Sequence, residues 1–315
     1  MTGKHRLAAA LVMLVFILSA SCAKAPNPSA DGHEQKRLSV VVTFDALYEM
    51  ASAVGGDRVS VHNIMPDGME AHDFEPQAKD LAALGSADVF IANGLGFDSW
   101  AQRAADAAAG DNMLLVDAST GLTPISLARR PDEDDHHSDA HSSAHTAFYD
   151  PHIWLSPLCA VSMAENIRDA FCAADPDGSE HYFGNCSVFA QKLKALHDEY
   201  STKIGAMSNK TIVTGHAVFA YLCRDFGLIQ NSVEGVFAEG EPSAKVLVEL
   251  IEFCIDNNIS TILAENLSSP LVAETLAAET GAVVKLIYTM EGAEDGMSYI
   301  ERMESNLATI LEALR

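Results

Sequence analysis

Apolar positions along this chain keep two rhythms in turn. Short runs rich in β-branched residues, "RLSVVVTF" (37–44), "RVSVHNIM" (58–65), "DVFIANG" (88–94) and "NMLLVDA" (112–118), read as strands. Between them stand "DALYEMASAVG" (45–55), "EPQAKDLAALGSA" (75–87) and "FDSWAQRAADAAAG" (97–110), whose apolar residues recur at helical spacing. A helix follows from Pro157 to about Ala174. Then "HYFGNCSVFAQKLKALHDEYSTKIGAM" (181–207) carries Phe183, Phe189, Leu193, Leu196, Tyr200 and Ile204 on one helical stripe, despite Gly184. Such a helix is longer than most globular ones and predicts a rigid strut between two lobes.

The second half repeats the first. Strands are expected at "TIVTG" (211–215), "LIQNSVEG" (228–235), "STILAE" (260–265) and "AVVKLIY" (282–288). Helices are expected at "AVFAYLCRDFG", "PSAKVLVELIEFCIDNN", "PLVAETLAAETG" and "MSYIERMESNLATILEAL". Strand–helix alternation predicts parallel sheets in an open α/β fold, and ligands of such sheets bind beyond the strands' carboxyl ends. The expected organisation is two (βα)4-type lobes, 37–177 and 209–315, joined by a helix at 178–208, with a cleft between them.

The chain's beginning breaks the pattern. Lys4, His5 and Arg6 precede the apolar run "LAAALVMLVFILSA", the layout of a signal peptide at 1–21. Small residues lead to Cys22, the expected lipidation site, although Ser19 stands where a lipobox has leucine. Residues 22–36 then form a polar, Pro-containing tether, which places the protein outside the cytoplasm on a lipid anchor.

A formal net charge of −24 argues against nucleic acid and anionic headgroups as partners. With Cys22 lipidated, five of the six cysteines remain, an odd number without a CxxC; a Cys172–Cys186 disulfide stays open. The acidic stretch at 129–147 is of low complexity and holds His136, His137, His141 and His145.

Three other histidines stand apart. His72 in "IMPDGMEAHDFEP", His152 in "YDPHIWLSP" and His216 in "TIVTGHAVFAY" each fall where a strand is expected to give way to a helix. His62, His181 and His197 sit inside regular strand or helix patterns instead. Three imidazoles and one further group make a tetrahedral zinc site. Asp73 and Glu75 read as helix-cap residues, with Glu75-Pro76 opening the next helix.

The strings "PDGMEAHDFEP", "DPHIWLSP" and "VTGHAVFAYLCRDFGL" resemble the three metal-binding motifs of the ZnuA/TroA-like (cluster A-I) lipoproteins, the solute-binding components of zinc and manganese ABC importers. The resemblance runs from about Leu38 to the end. It implies metal binding by His72, His152 and His216, zinc as the transported ligand, an ABC permease as partner, a monomer and no catalysis. The loop histidines match the histidine-rich insert of the zinc members and read as an accessory collector of metal. Asp150 and Glu265 are candidates to orient the imidazoles, and the fourth ligand is open among water, a carboxylate such as Glu239 or Glu265, and a loop histidine. Manganese members carry glutamate at the place of His216 and aspartate where "LIYTMEG" has Met290, so a hard ligand is missing here and zinc is expected over manganese.

The alternatives are a manganese importer component, a surface adhesin of the same family, and a zinc hydrolase. Against the last, no HExxH, GxSxG or Walker loop is present, and "NGLGFD" has too few glycines for a nucleotide loop.

Overall fold

Two parallel four-stranded sheets organise the chain. The structure is a computed structural model that describes residues 37–66, 69, 74–108, 113–127, 148–236, 244–265, 270–293 and 296–315. The leader, Cys22, the tether, His72, Asp73, Glu239 and the four loop histidines lie outside the described residues. Residues Lys36–Arg315 form one compact unit.

The first sheet has the order β2-β1-β3-β4, built from β1 (Leu38–Val42), β2 (Val59–Asn63), β3 (Val89–Ala92) and β4 (Leu114–Asp117). The second repeats that order as β6-β5-β7-β8, from β5 (Thr211–His216), β6 (Ile229–Glu234), β7 (Thr261–Glu265) and β8 (Val283–Ile287). In each half the first strand lies inside and pairs in parallel with two neighbours. The inner strands β3 (VFIA) and β7 (TILAE) are buried throughout, as strands covered on both faces must be, with polar residues only at the two ends of β7.

Helices α1 (Asp45–Gly55), α2 (Ala78–Leu84), α3 (Ala101–Ala108) and α4 (Pro157–Ala174) accompany the first sheet. The second has α6 (Ala220–Phe226), α7 (Ala244–Asp256), α8 (Pro270–Thr280) and α9 (Tyr299–Ala313). Local chemistry sets several starts. Ser156 caps α4, its Oγ accepting the Cys159 N–H at 3.1 Å, with Pro157 in the first turn. Ser298 and Glu301 form a capping box on α9. The start of α2 differs from expectation: Gln77 with Asp80 makes the capping box, and Glu75 lies outside the helix.

The long helix α5 spans Ser179–Gly205, 27 residues. It is not a bare strut. Tyr182, Cys186, Phe189, Leu193, Leu196, Tyr200 and Ile204 are buried along its length, and one apolar cluster runs from Val40 of β1 through α5 to Ile287 of β8. The two sheets therefore share a core. A buried ion pair ties them as well: Arg302 of α9 donates to Asp45 of α1 at 2.6 Å and to the Gly292 carbonyl at 2.8 Å. Cys159, Cys172, Cys186, Cys223 and Cys254 are all free thiols, so Cys172 and Cys186 are not joined. Among the described residues no helix is long and apolar enough to cross a membrane.

Candidate metal centre

His152 follows no regular strand. It stands just past an isolated bridge between Ser126 and Tyr149 and opens onto a single 3-10 turn, Ile153–Leu155, that leads into α4. Its partner is two residues away. Asp150 Oδ1 takes both the backbone N–H of His152 and ring Nδ1, each at 2.9 Å. Both side chains are 0% exposed. A carboxylate facing Nδ1 places the ring proton there and leaves the lone pair on Nε2, the tautomer of a metal ligand. Trp154 and Phe97 wall the ring, at centroid distances of 5.2 and 6.3 Å.

His216 is the last residue of β5, where the sequence suggested the turn after it. Its neighbours in the "TGH" string explain the motif. The His216 N–H donates to Glu265 Oε1 at 3.0 Å. A Cβ on Gly215 would come within 2.5 Å of Glu265 Oε2, so only glycine lets that carboxylate reach the strand end. Glu265 thus holds the backbone of His216, whereas the expected role was to orient its ring. Burial, and then the Glu234 charge, push it up to about 7 against the pull of the N–H groups it accepts. The imidazole of His216 is 4% exposed, and its Nε2 donates to the Val236 carbonyl at 2.8 Å. Burial, then His152, hold it down at about 4, so the ring is neutral near pH 7.

The two rings meet. Their centroids are 5.4 Å apart with planes at 89°. Sequence reading placed them near one cleft, and the fold brings these two together. Among the described residues no three His, Cys, Asp or Glu side chains gather into one metal site, and the third histidine, His72, lies outside them.

Met290 is not a substitute ligand. It is fully buried in the shared apolar core and holds φ +58°. The carboxylate that sequence reading passed over is its neighbour, Glu291, 3% exposed, just past the end of β8. Its carbonyl accepts the Asp45 N–H at 3.2 Å, and the Thr289 carbonyl accepts Trp154 Nε1 at 2.7 Å, beside His152. The signal was present in "YTMEG": a carboxylate at the carboxyl end of the last strand, one place beyond the residue that drew attention.

The fold and this pair of buried, oriented imidazoles define a two-lobed metal-binding solute-binding protein. Residues 40–313 match the family described as zinc-uptake complex component A, periplasmic (ZnuA), and the chain belongs to it. It is 43% identical over 305 residues to a putative metal-binding protein of Treponema pallidum, covering 97% of this chain and 95% of that one. It is 31% identical over 309 residues to the high-affinity zinc uptake system protein ZnuA of Bacillus subtilis, with 96% of each chain covered. Its fold matches the laminin-binding protein Lmb of Streptococcus agalactiae, described as having adhesin and metal transporting activity, with TM-score 0.77, 32% identity, and 88% and 100% of the two chains covered. The chain is the zinc-binding component of a zinc-uptake ABC system, extracytoplasmic, and not an enzyme.

Proposed function

We propose that the chain captures zinc with His72, His152 and His216 and passes it to the permease of its uptake system. The observation that carries this reading is the pairing of His152 with His216, each ring tied at one nitrogen to an oxygen, Asp150 in one case and Val236 in the other. Buried neutral imidazoles suit a borderline cation and give a hard one little. Zinc is therefore favoured over manganese.

Glu291 is the best placed of the carboxylates to complete the set. Glu291 is buried just past the carboxyl end of β8, in the segment that braces Trp154 beside His152. Cys22 carries the lipid that holds the monomer at the membrane. His136, His137, His141 and His145 collect zinc loosely and raise its concentration near the tight site.

Competition at equilibrium tests the reading. With both ions at comparable concentration, zinc is expected to fill one tight site per chain and manganese not to displace it. Manganese held as tightly as zinc would overturn the specificity.

A further inference from the structure

The string NGLGFD, residues 93–98, fits no nucleotide loop, and so far only its Phe97 has entered the site, as a wall of the His152 ring. In the fold it forms a tight turn after β3. Gly94, Leu95 and Gly96 all take positive φ (86°, 55° and 88°), and a Cβ on Gly94 would meet Asp117 Oδ1 at 2.1 Å. Asp98, itself buried, clamps the turn. Its Oδ2 accepts the Asn93 N–H at 2.6 Å and the Thr43 hydroxyl at 2.8 Å, and its Oδ1 accepts the Gly94 N–H at 3.1 Å. Phe97 packs against Trp154, ring centroids 4.7 Å apart and planes tilted by 59°.

That clamp aims one side chain. Asn93 is fully buried, and its Nδ2 donates to the Pro151 carbonyl at 2.9 Å, immediately before His152. Among the described residues its Oδ1 has no partner, a cost borne by the same amide that grips Pro151. From the other side Tyr221 of α6 donates to the Asp150 carbonyl at 2.6 Å. The peptide units on both sides of Pro151 are thus held by named donors.

We infer that Asn93 is a positioning residue for zinc: its amide fixes the Asp150-Pro151-His152 backbone and so sets where the His152 lone pair points. The inference rests on His152 being a ligand, as proposed above. A ligand ring free to swing loses affinity, and groups that hold a ligand typically change it about 10- to 100-fold when removed.

The test is chelator competition for zinc on the full chain, with wild type, Asn93→Ala, His152→Ala and the double variant. Asn166→Ala serves as control, because its Nδ2 grips two carbonyls, Ala118 and Thr120, at 2.9 Å each, in a segment that carries neither histidine. Asn93→Ala is expected to weaken zinc about tenfold or more. It should add nothing once His152 is gone, and Asn166→Ala should leave affinity unchanged. The visible spectrum of cobalt bound in place of zinc should shift in Asn93→Ala alone of the two asparagine variants. Wild-type affinity in Asn93→Ala overturns the inference. So does an equal loss with and without His152, which would mark a general structural role. Wild-type affinity in His152→Ala would instead remove the zinc-site reading beneath it. Should Asn93→Ala not fold, Thr43→Val, which takes the hydroxyl from Asp98, is read alike: weaker zinc only in the presence of His152 supports the inference, and unchanged affinity overturns it.

Discussion

Asp150 and His152 form a buried pair in which one carboxylate oxygen holds both the ring and the backbone N–H of the histidine two residues on. The bond does more than fill space. It selects the tautomer, fixes the ring plane, and places a negative charge behind a nitrogen that is to meet a cation.

Removing that oxygen should therefore reach the metal without touching it. Asp150→Ala is expected to weaken zinc about 10- to 100-fold, as losses of ligand-orienting groups do. Isothermal titration measures this. Unchanged affinity would mean that packing by Trp154 and Phe97 alone orients the ring.

Met290 gives a prediction of opposite sign. Met290 stands where the manganese members carry aspartate, but its side chain is sealed in the shared apolar core. Met290→Asp should cost about 3–5 kcal/mol, the scale of an uncompensated buried charge, and gain no manganese. Met290→Leu should cost less than about 1.5 kcal/mol and leave zinc affinity unchanged. Urea unfolding and metal titration of both variants check the two halves.

Tyr221 is a stability prediction. Its hydroxyl accepts the Ile125 N–H at 3.0 Å and donates to the Asp150 carbonyl, so Tyr221→Phe strands the buried Asp150 carbonyl and takes a partner from the half-buried Ile125 N–H. A loss of about 1–3 kcal/mol, the cost of the buried carbonyl, is the expected range. Thermal unfolding of the metal-free protein should show it, and an unchanged midpoint would contradict it.

Deleting residues 132–145 separates the two kinds of zinc binding. One tight zinc per chain should survive, and the additional weak binding should go. Loss of the tight site would mean that a loop histidine is a ligand.

Much of this molecule was legible. The apolar period of α4 matched Pro157–Ala174, and the stripe from Phe189 to Ile204 was the buried face of α5. Phe183, counted with that stripe, is exposed, because its neighbour Tyr182 holds the place on the buried face, one residue and about 100° around the helix. Histidines at the ends of patterned segments marked His152 and His216. What escaped was chemistry between distant segments. Nothing in local rhythm links Asn93 to Pro151, 58 residues on, or Arg302 to Asp45, 257 residues away. Nor does periodicity tell Met290 from Glu291, since beyond the end of β8 the chain has no period and burial is set by α1 and α9.

The central claim is that His152 and His216 hold zinc together. Isothermal titration of zinc into the wild type and into His152→Ala and His216→Ala tests it most directly. One tight site is expected in the wild type, weakened at least about tenfold in each variant, because loss of a ligand should cost no less than loss of a group that orients one. Wild-type affinity in either variant would contradict the account.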